Sequence, residues 1–220
     1  MYTLIIGNKN YSSWSLRPWL ALRATGIAFT EQKLAFFTEE FSRKVGAVSP
    51  AGLVPVLLDD DFAVWDSLAI CEYVAERHPD AGLWPKDAKT RARARSLVAQ
   101  MHSGFGALRN ALPMNIEAHL PGIKLPEAAQ QDISRLQAIW HDTRAEFGHG
   151  GPFLFGAFSI ADAFFAPVVS RFTTYGIAAA GAVRDYMDAV LALPAMQDWM
   201  RDARAEATFV PEDEPYRKHR

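Results

Sequence analysis

Apolar positions follow two regimes along the chain. In the first third they come in short runs between turn residues, and further on they recur at helical spacing. Thr3-Leu4-Ile5-Ile6-Gly7 is strand-like. Leu16 to Thr25 is helical in period and closed by Gly26, as a helix C-terminal glycine would close it. Alternation over Phe29-Thr30-Glu31-Gln32-Lys33-Leu34 predicts a second strand, and a short helix is predicted over Glu39–Ala47. Val54-Pro55-Val56-Leu57-Leu58 and Phe62-Ala63-Val64-Trp65 flank Asp59-Asp60-Asp61 and read as a hairpin. A helix from Ser67 to His78 follows, stopped by Pro79. The predicted order is βαβαββα.

A proline-bounded stretch ends at Pro85. Beyond it lie long helical patterns over Lys89–Leu112, Pro126–Phe147 and Ile160–Tyr175, then shorter ones to Glu206. Pro126 suits a first helical position, and Pro167 is expected to kink its helix. The expected organisation is a small α/β domain over residues 1–80, a linker over 81–87 and an all-α helical bundle over 88–220.

Composition narrows the function classes. With 220 residues, half of them apolar, the chain can bury a sizeable core. A formal net charge of −2 supplies no field for nucleic acid or an anionic membrane. No apolar run is long enough to span a bilayer, and the N-terminus does not read as a signal peptide. Cys71 is the single cysteine, so no internal disulfide forms. The expectation is a soluble cytoplasmic protein. The six histidines lack ligand spacing, and no metal site is expected.

The stretch Asn10-Tyr11-Ser12-Ser13-Trp14-Ser15-Leu16-Arg17-Pro18 carries three serines behind the first strand. Pro18 has no N–H and fits a helix most easily within the first turn. This predicts Ser15 as the N-cap, with Ser12 and Ser13 in the loop ahead. A group held there faces the positive end of the helix dipole, a place that stabilises an anion.

Val54-Pro55 opens a strand-like run, so the proline belongs at an edge or bend and is a candidate cis peptide. Asp66-Ser67 precedes a helix. Ser67 is placed as an N-cap able to hold a carboxylate, and Asp66 beside it suits an ammonium. An amino-acid head group carries both charges; a plain helix cap is the other reading. In Gly156-Ala157-Phe158-Ser159-Ile160-Ala161-Asp162, Ser159 caps a helix and Asp162 reaches back to its N–H. The flanking apolar pair, Phe158 with Ala163, is expected to be a weak contact.

A strand, a serine-bearing loop and a helix, then Val54-Pro55, then Asp66-Ser67, with helices behind, resemble the glutathione transferase family over essentially the whole chain. Gly156 to Asp162 resembles its G-x-x-S/T-x-A-D box. The resemblance implies a thioredoxin-like N-terminal domain and an all-α C-terminal helical bundle, with glutathione as co-substrate. It also implies a cytoplasmic homodimer. "SSWSLR" is most similar to the serine-type classes, the zeta class above all, whose motif reads S-S-C-S-W-R. Ser12 then aligns with the serine that hydrogen-bonds the glutathione sulfur, and Ser13 is the reserve. Trp14 stands at the zeta cysteine position.

By the same resemblance Val54, Pro55, Asp66 and Ser67 contact glutathione. Lys33, Arg43 or Lys44 are candidates for its glycine end, or plain surface charges. Trp14, Met101, Phe105 and Arg109 are candidates for an electrophile pocket. Met101 and Phe105 also suit core packing, and Arg109 suits either an anionic substrate or a neighbouring carboxylate. The implied activity is thiolate attack on a small electrophile. The alternatives are a zeta-like maleylacetoacetate isomerase and a non-catalytic regulatory protein on the same fold. Cys71, among Leu68, Ile70 and Tyr73, reads as buried and inert.

Overall fold

The computed structural model describes residues Met1–Arg220. Four strands, β1 (Tyr2–Ile6), β2 (Phe29–Lys33), β3 (Val56–Asp59) and β4 (Phe62–Val64), form one sheet in the order β2-β1-β3-β4. β1 pairs parallel with β2, while β1–β3 and β3–β4 are antiparallel. A parallel pair needs a crossover, and α1 (Ser13–Ala24) supplies it. Helices α2 (Glu39–Val48) and α3 (Ser67–Arg77) complete the α/β part.

Six helices follow: α4 (Ala88–Ser103), α5 (Gly106–Ala111), α6 (Glu127–Phe147), α7 (Ile160–Thr174), α8 (Gly181–Ala192) and α9 (Pro194–Ala205). The architecture is a thioredoxin-like α/β part followed by a helical part, as the resemblance implies.

Strand periodicity sorts β1 between two cores. Leu4 and Ile6 join a large cluster that continues through Leu16 and Leu20 of α1 into Phe164, Phe165 and Phe172 of α7. Ile5 faces the other way, onto Leu34, Val45 and Val56 beneath α2. One core therefore runs through both parts, and α1 is its seam.

Four expectations need correction. α1 begins at Ser13 with Ser12, not Ser15, as its N-cap: the Ser15 N–H donates to Ser12 Oγ at 3.4 Å. Pro18 therefore sits inside the helix, denying the Trp14 carbonyl its usual partner. Burial of Ser15 through Leu22 outweighs that loss, which is about 3 kcal/mol. α3 is capped by Asp66, not Ser67: the Leu68 N–H donates to Asp66 Oδ1 at 2.9 Å, and Ser67 is the first helical residue. The helix expected over 89–112 breaks at Gly104-Phe105, where Phe105 takes φ +56 and a Cβ at Gly104 would stand 2.7 Å from the Gln100 carbonyl oxygen. Pro126 occupies the N-cap of α6 rather than its first helical position.

At α7 the Ser159 N–H and hydroxyl donate to Asp162 Oδ2 at 2.8 and 3.1 Å, the reach-back read from the sequence. Phe158 packs edge-on against Phe153. α7 runs on through Pro167.

Candidate active site

The site is assembled where the β1–α1 loop meets the helical part. Asn8 Oδ1 accepts from the Phe36 N–H at 2.8 Å, and Asn10 Oδ1 accepts from the Glu117 N–H at 2.9 Å. The Asn10 amide donates to Asn115 Oδ1 at 3.0 Å. The Tyr11 hydroxyl donates to Glu214 Oε1 at 2.7 Å, and the Asn115 amide donates to that same oxygen at 2.8 Å. Glu214 is 4% exposed and paired with Arg217, which also meets Glu117 at 2.9 Å. Burial and the Glu214 carboxylate push the Tyr11 phenol up to about 12, so it stays a donor. The loop ahead of Ser12 is thus held on both sides by buried polar contacts.

Ser12, Ser13, Trp14, Val54, Arg109, Met114, Arg171 and Asp213 are among the residues lining a cavity of about 610 Å³, with Phe36, Phe37 and Leu53 at its apolar edge. A larger groove of about 790 Å³, between Met1, Tyr2, Arg77 and His78, lies away from these groups and offers no comparable chemistry. Behind the Ser12 wall of the 610 Å³ cavity, Ser12 Oγ donates to Ser15 Oγ at 2.7 Å, and the Gly7 N–H donates to Ser15 Oγ at 3.2 Å. Ser13 Oγ accepts from Arg171 Nη2 at 3.3 Å.

Three guanidiniums gather here without a carboxylate in ion-pair contact. Arg17 lies 4.0 Å over the Trp14 ring and 4.8 Å from Phe164, and Arg109 lies 5.0 Å from Trp14. Arg17 is 1% exposed, and its Nε and Nη1 have no partner. Burial first, then the Arg171 and Arg109 charges, lower it to about 9. Burial and Arg109 bring Arg171 to about 10. Arg109 and Arg171 bring positive charge to the cavity wall, which also carries Asp213, and Arg17 stands behind Trp14; two guanidiniums against one carboxyl group favour an anion.

The Val54-Pro55 peptide is cis, and Val54 faces the cavity. Asp66 and Ser67 lie outside its lining, on the far side of His102: His102 Nε2 is 3.3 Å from Asp66 Oδ2, and its ring meets Trp14 edge-on at 5.2 Å. The Asp66 carboxylate is largely exposed, whereas Ser67 Oγ is buried without a partner.

Of the residues expected from the sequence, Ser12, Ser13, Trp14, Val54 and Arg109 share one cavity. Pro55 is buried behind Val54. Lys33 is drawn away, its Nζ 3.0 Å from Glu206 Oε1. Met101 and Phe105 are core residues, absent from the cavity lining.

Arg17, Arg171, Asp213 and Glu214 were not singled out by sequence, whereas His102 and Met114 fall in the stretches expected to line the electrophile pocket. For Arg171 a signal existed, an arginine inside the apolar run Val168-Val169-Ser170-Arg171-Phe172; Arg17, Asp213 and Glu214 carry no local mark.

The chain matches the family profile described as "Glutathione S-transferase, N-terminal domain" over residues 11–77 and that described as "Glutathione S-transferase, C-terminal domain" over 90–202. A probable maleylacetoacetate isomerase from Caenorhabditis elegans is 35% identical over 46% of this chain, and the chain spans about half of that relative, 47%. A zeta class glutathione S-transferase from Euphorbia esula is 28% identical, with 72% of this chain and 71% of that one aligned. A glutathione transferase homologue from Burkholderia, solved with bound glutathione, superposes with a TM-score of 0.71 at 27% identity, over 93% of this chain and 98% of that one. The cavity at the N-terminus of α1, the two-part fold and these likenesses agree: the chain belongs to the glutathione S-transferase family.

Proposed function

We propose that this family member binds glutathione along Val54 and Asp66–Ser67, holds its sulfur as a thiolate at Ser12, and directs it at a small anionic electrophile. One observation carries the reading: Ser12 caps α1 at the mouth of a cavity whose charged wall is Arg109 and Arg171, with Arg17 behind Trp14.

A free thiol titrates near ~8.5 and is only a few per cent thiolate at neutral pH. Lowering it by ~2 units takes about 2.7 kcal/mol of preference for the anion. A hydroxyl donor, the helix N-terminus and unpaired guanidiniums each favour the anion, and together they are of that size. Ser12 donates and need not act as a base. The exposed Asp66 carboxylate suits the γ-glutamyl ammonium, and the Ser67 hydroxyl, buried without a protein partner, is the donor this reading assigns to the carboxylate once the ligand opens a path to it.

The positive wall also supports a second reading, cis-trans isomerisation of an anionic substrate by reversible thiolate addition, the activity named for the nematode relative. Trp14 at the zeta cysteine position weighs towards transfer. A homodimer is supported by the family and by Phe62 and Trp65, which are exposed on and beside the edge strand β4. The charge balance and single cysteine support a cytoplasmic setting.

The test is a glutathione titration followed by tryptophan fluorescence, with thiolate absorbance measured in Ser12→Ala and Ser13→Ala. Saturable binding with a thiolate signal lost in Ser12→Ala is expected. A thiolate that survives Ser12→Ala and vanishes in Ser13→Ala would move the role to Ser13. Maleylacetone as substrate then separates isomerisation from transfer.

A further inference from the structure

Ser15 is completely buried, yet its hydroxyl touches the one that faces the cavity. Ser12 Oγ and Ser15 Oγ are 2.7 Å apart, and Ser15 Oγ accepts from the Gly7 N–H at 3.2 Å. Each hydroxyl has one proton and rotates to suit its partners. As arranged, Ser12 donates to Ser15, which spends the proton Ser12 would offer a ligand. The opposite orientation costs no heavy-atom movement. Ser15 then donates to Ser12, Ser12 donates outward, and the chain reads Gly7 N–H to Ser15, Ser15 to Ser12, Ser12 to the anion.

We infer that Ser15 is a positioning residue for the thiolate: docking of the anion reverses the Ser12–Ser15 hydrogen bond, and the relay anchored at Gly7 strengthens the Ser12 donor. No proton leaves either serine; only the direction of two O–H bonds changes. Three features single out this arrangement. The Gly7 N–H already fills one lone pair of Ser15, which leaves its proton without a rival acceptor inside helix α1. The Ser15 N–H donates to Ser12 Oγ from the same side, at 3.4 Å, so the Ser12 oxygen gathers donors while its own proton is turned outward. Hydrogen bonds linked in this way polarise one another, and the gain is largest when the last acceptor is charged. Ser13 is built differently, its oxygen held by Arg171, and has no part in the chain.

The inference rests on the proposed role of Ser12, so its test separates the two. S-methylglutathione has no ionisable thiol and reports the binding framework alone, whereas the pH titration of thiolate absorbance with glutathione reports the anion. In Ser15→Ala, S-methylglutathione should bind within about two-fold of the unaltered protein, while the thiolate pKa rises by about half a unit. Ser15→Cys keeps the side-chain connectivity, slightly enlarged and with a weaker donor; it should shift the pKa in the same direction and serves where the alanine variant fails to fold. In a Ser12→Ala background, Ser15→Ala should add no further shift. An unchanged thiolate pKa in Ser15→Ala or Ser15→Cys, or a shift that persists without Ser12, would overturn the relay. Failure of the unaltered protein to bind S-methylglutathione would sink the glutathione reading instead.

Discussion

The Arg17 guanidinium stacks 4.0 Å over the Trp14 ring with Phe164 on another side, and no carboxylate pairs with it. Cation–π contact offsets part of the desolvation of a buried cation, each such contact being worth about 0.5–2 kcal/mol. The lowered pKa, about 9, says that the folded environment still disfavours the charge. Replacement by an apolar side chain of similar length should therefore be tolerated. Arg17→Met is expected to raise unfolding stability in urea by about 1 kcal/mol. Destabilisation would mean that the stacking on Trp14 and Phe164 exceeds the burial penalty.

Ser67 separates stability from binding. Its buried hydroxyl has no partner in the protein, so Ser67→Ala should leave thermal stability unchanged or slightly raised. Glutathione affinity should fall about tenfold, the size of one lost hydrogen bond to a carboxylate. Calorimetric titration beside a melting curve tests both, and a drop in melting temperature without loss of affinity would contradict the assignment.

Asp162 gives a pH dependence with a definite sign. Burial raises its carboxyl from the ordinary 3.8 to about 6, against three hydrogen bonds that favour the anion. Between those values the folded state keeps a proton that the unfolded chain has lost. Its contribution is thus fully present below pH 4 and declines, by about 3 kcal/mol, as pH rises to 6. The stability gap between the unaltered protein and Asp162→Asn should narrow over that interval. A gap that widens would show the three donors prevailing over burial.

Tyr11 ties the β1–α1 loop to the segment after α9 through Glu214 and the Thr208 carbonyl. Tyr11→Phe removes the donor and leaves a buried carboxylate with fewer partners, a cost of about 1–3 kcal/mol. Faster hydrogen exchange is expected in residues 207–217 and in the loop at 8–12, with α6 and α8 unaffected. Exchange confined to the C-terminal segment would mean that the loop holds its shape without it.

The sheet, its helices and most helix boundaries were legible because each rests on local periodicity. The two misplaced caps have different causes. At α1, Pro18 argued for a start three residues too late, since tertiary burial of the helix tolerates a proline at its sixth position. At α3, Asp and Ser are adjacent and both cap well, so only the backbone decides between them. The break at Gly104 had its mark in the glycine itself, hidden within a continuous helical pattern. For the site, Ser12, Val54 and Arg109 stand in quotable motifs. Arg171 and Glu214 reach it from positions more than 150 residues away, through contacts that no spacing encodes.

The lacing of Asn10 and Tyr11 by Asn115, Glu117 and Glu214 bears on how this protein can be recombined. A chimera that grafts a foreign helical half onto residues 1–87 would keep every serine of the loop and still lose its outer scaffold. Carrying over positions 115, 117, 214 and 217, together with Trp199, Asp202 and Glu206 that hold Lys9 and Asn10, would bring the scaffold with it, and evolutionary exchange between such halves would be constrained in the same way.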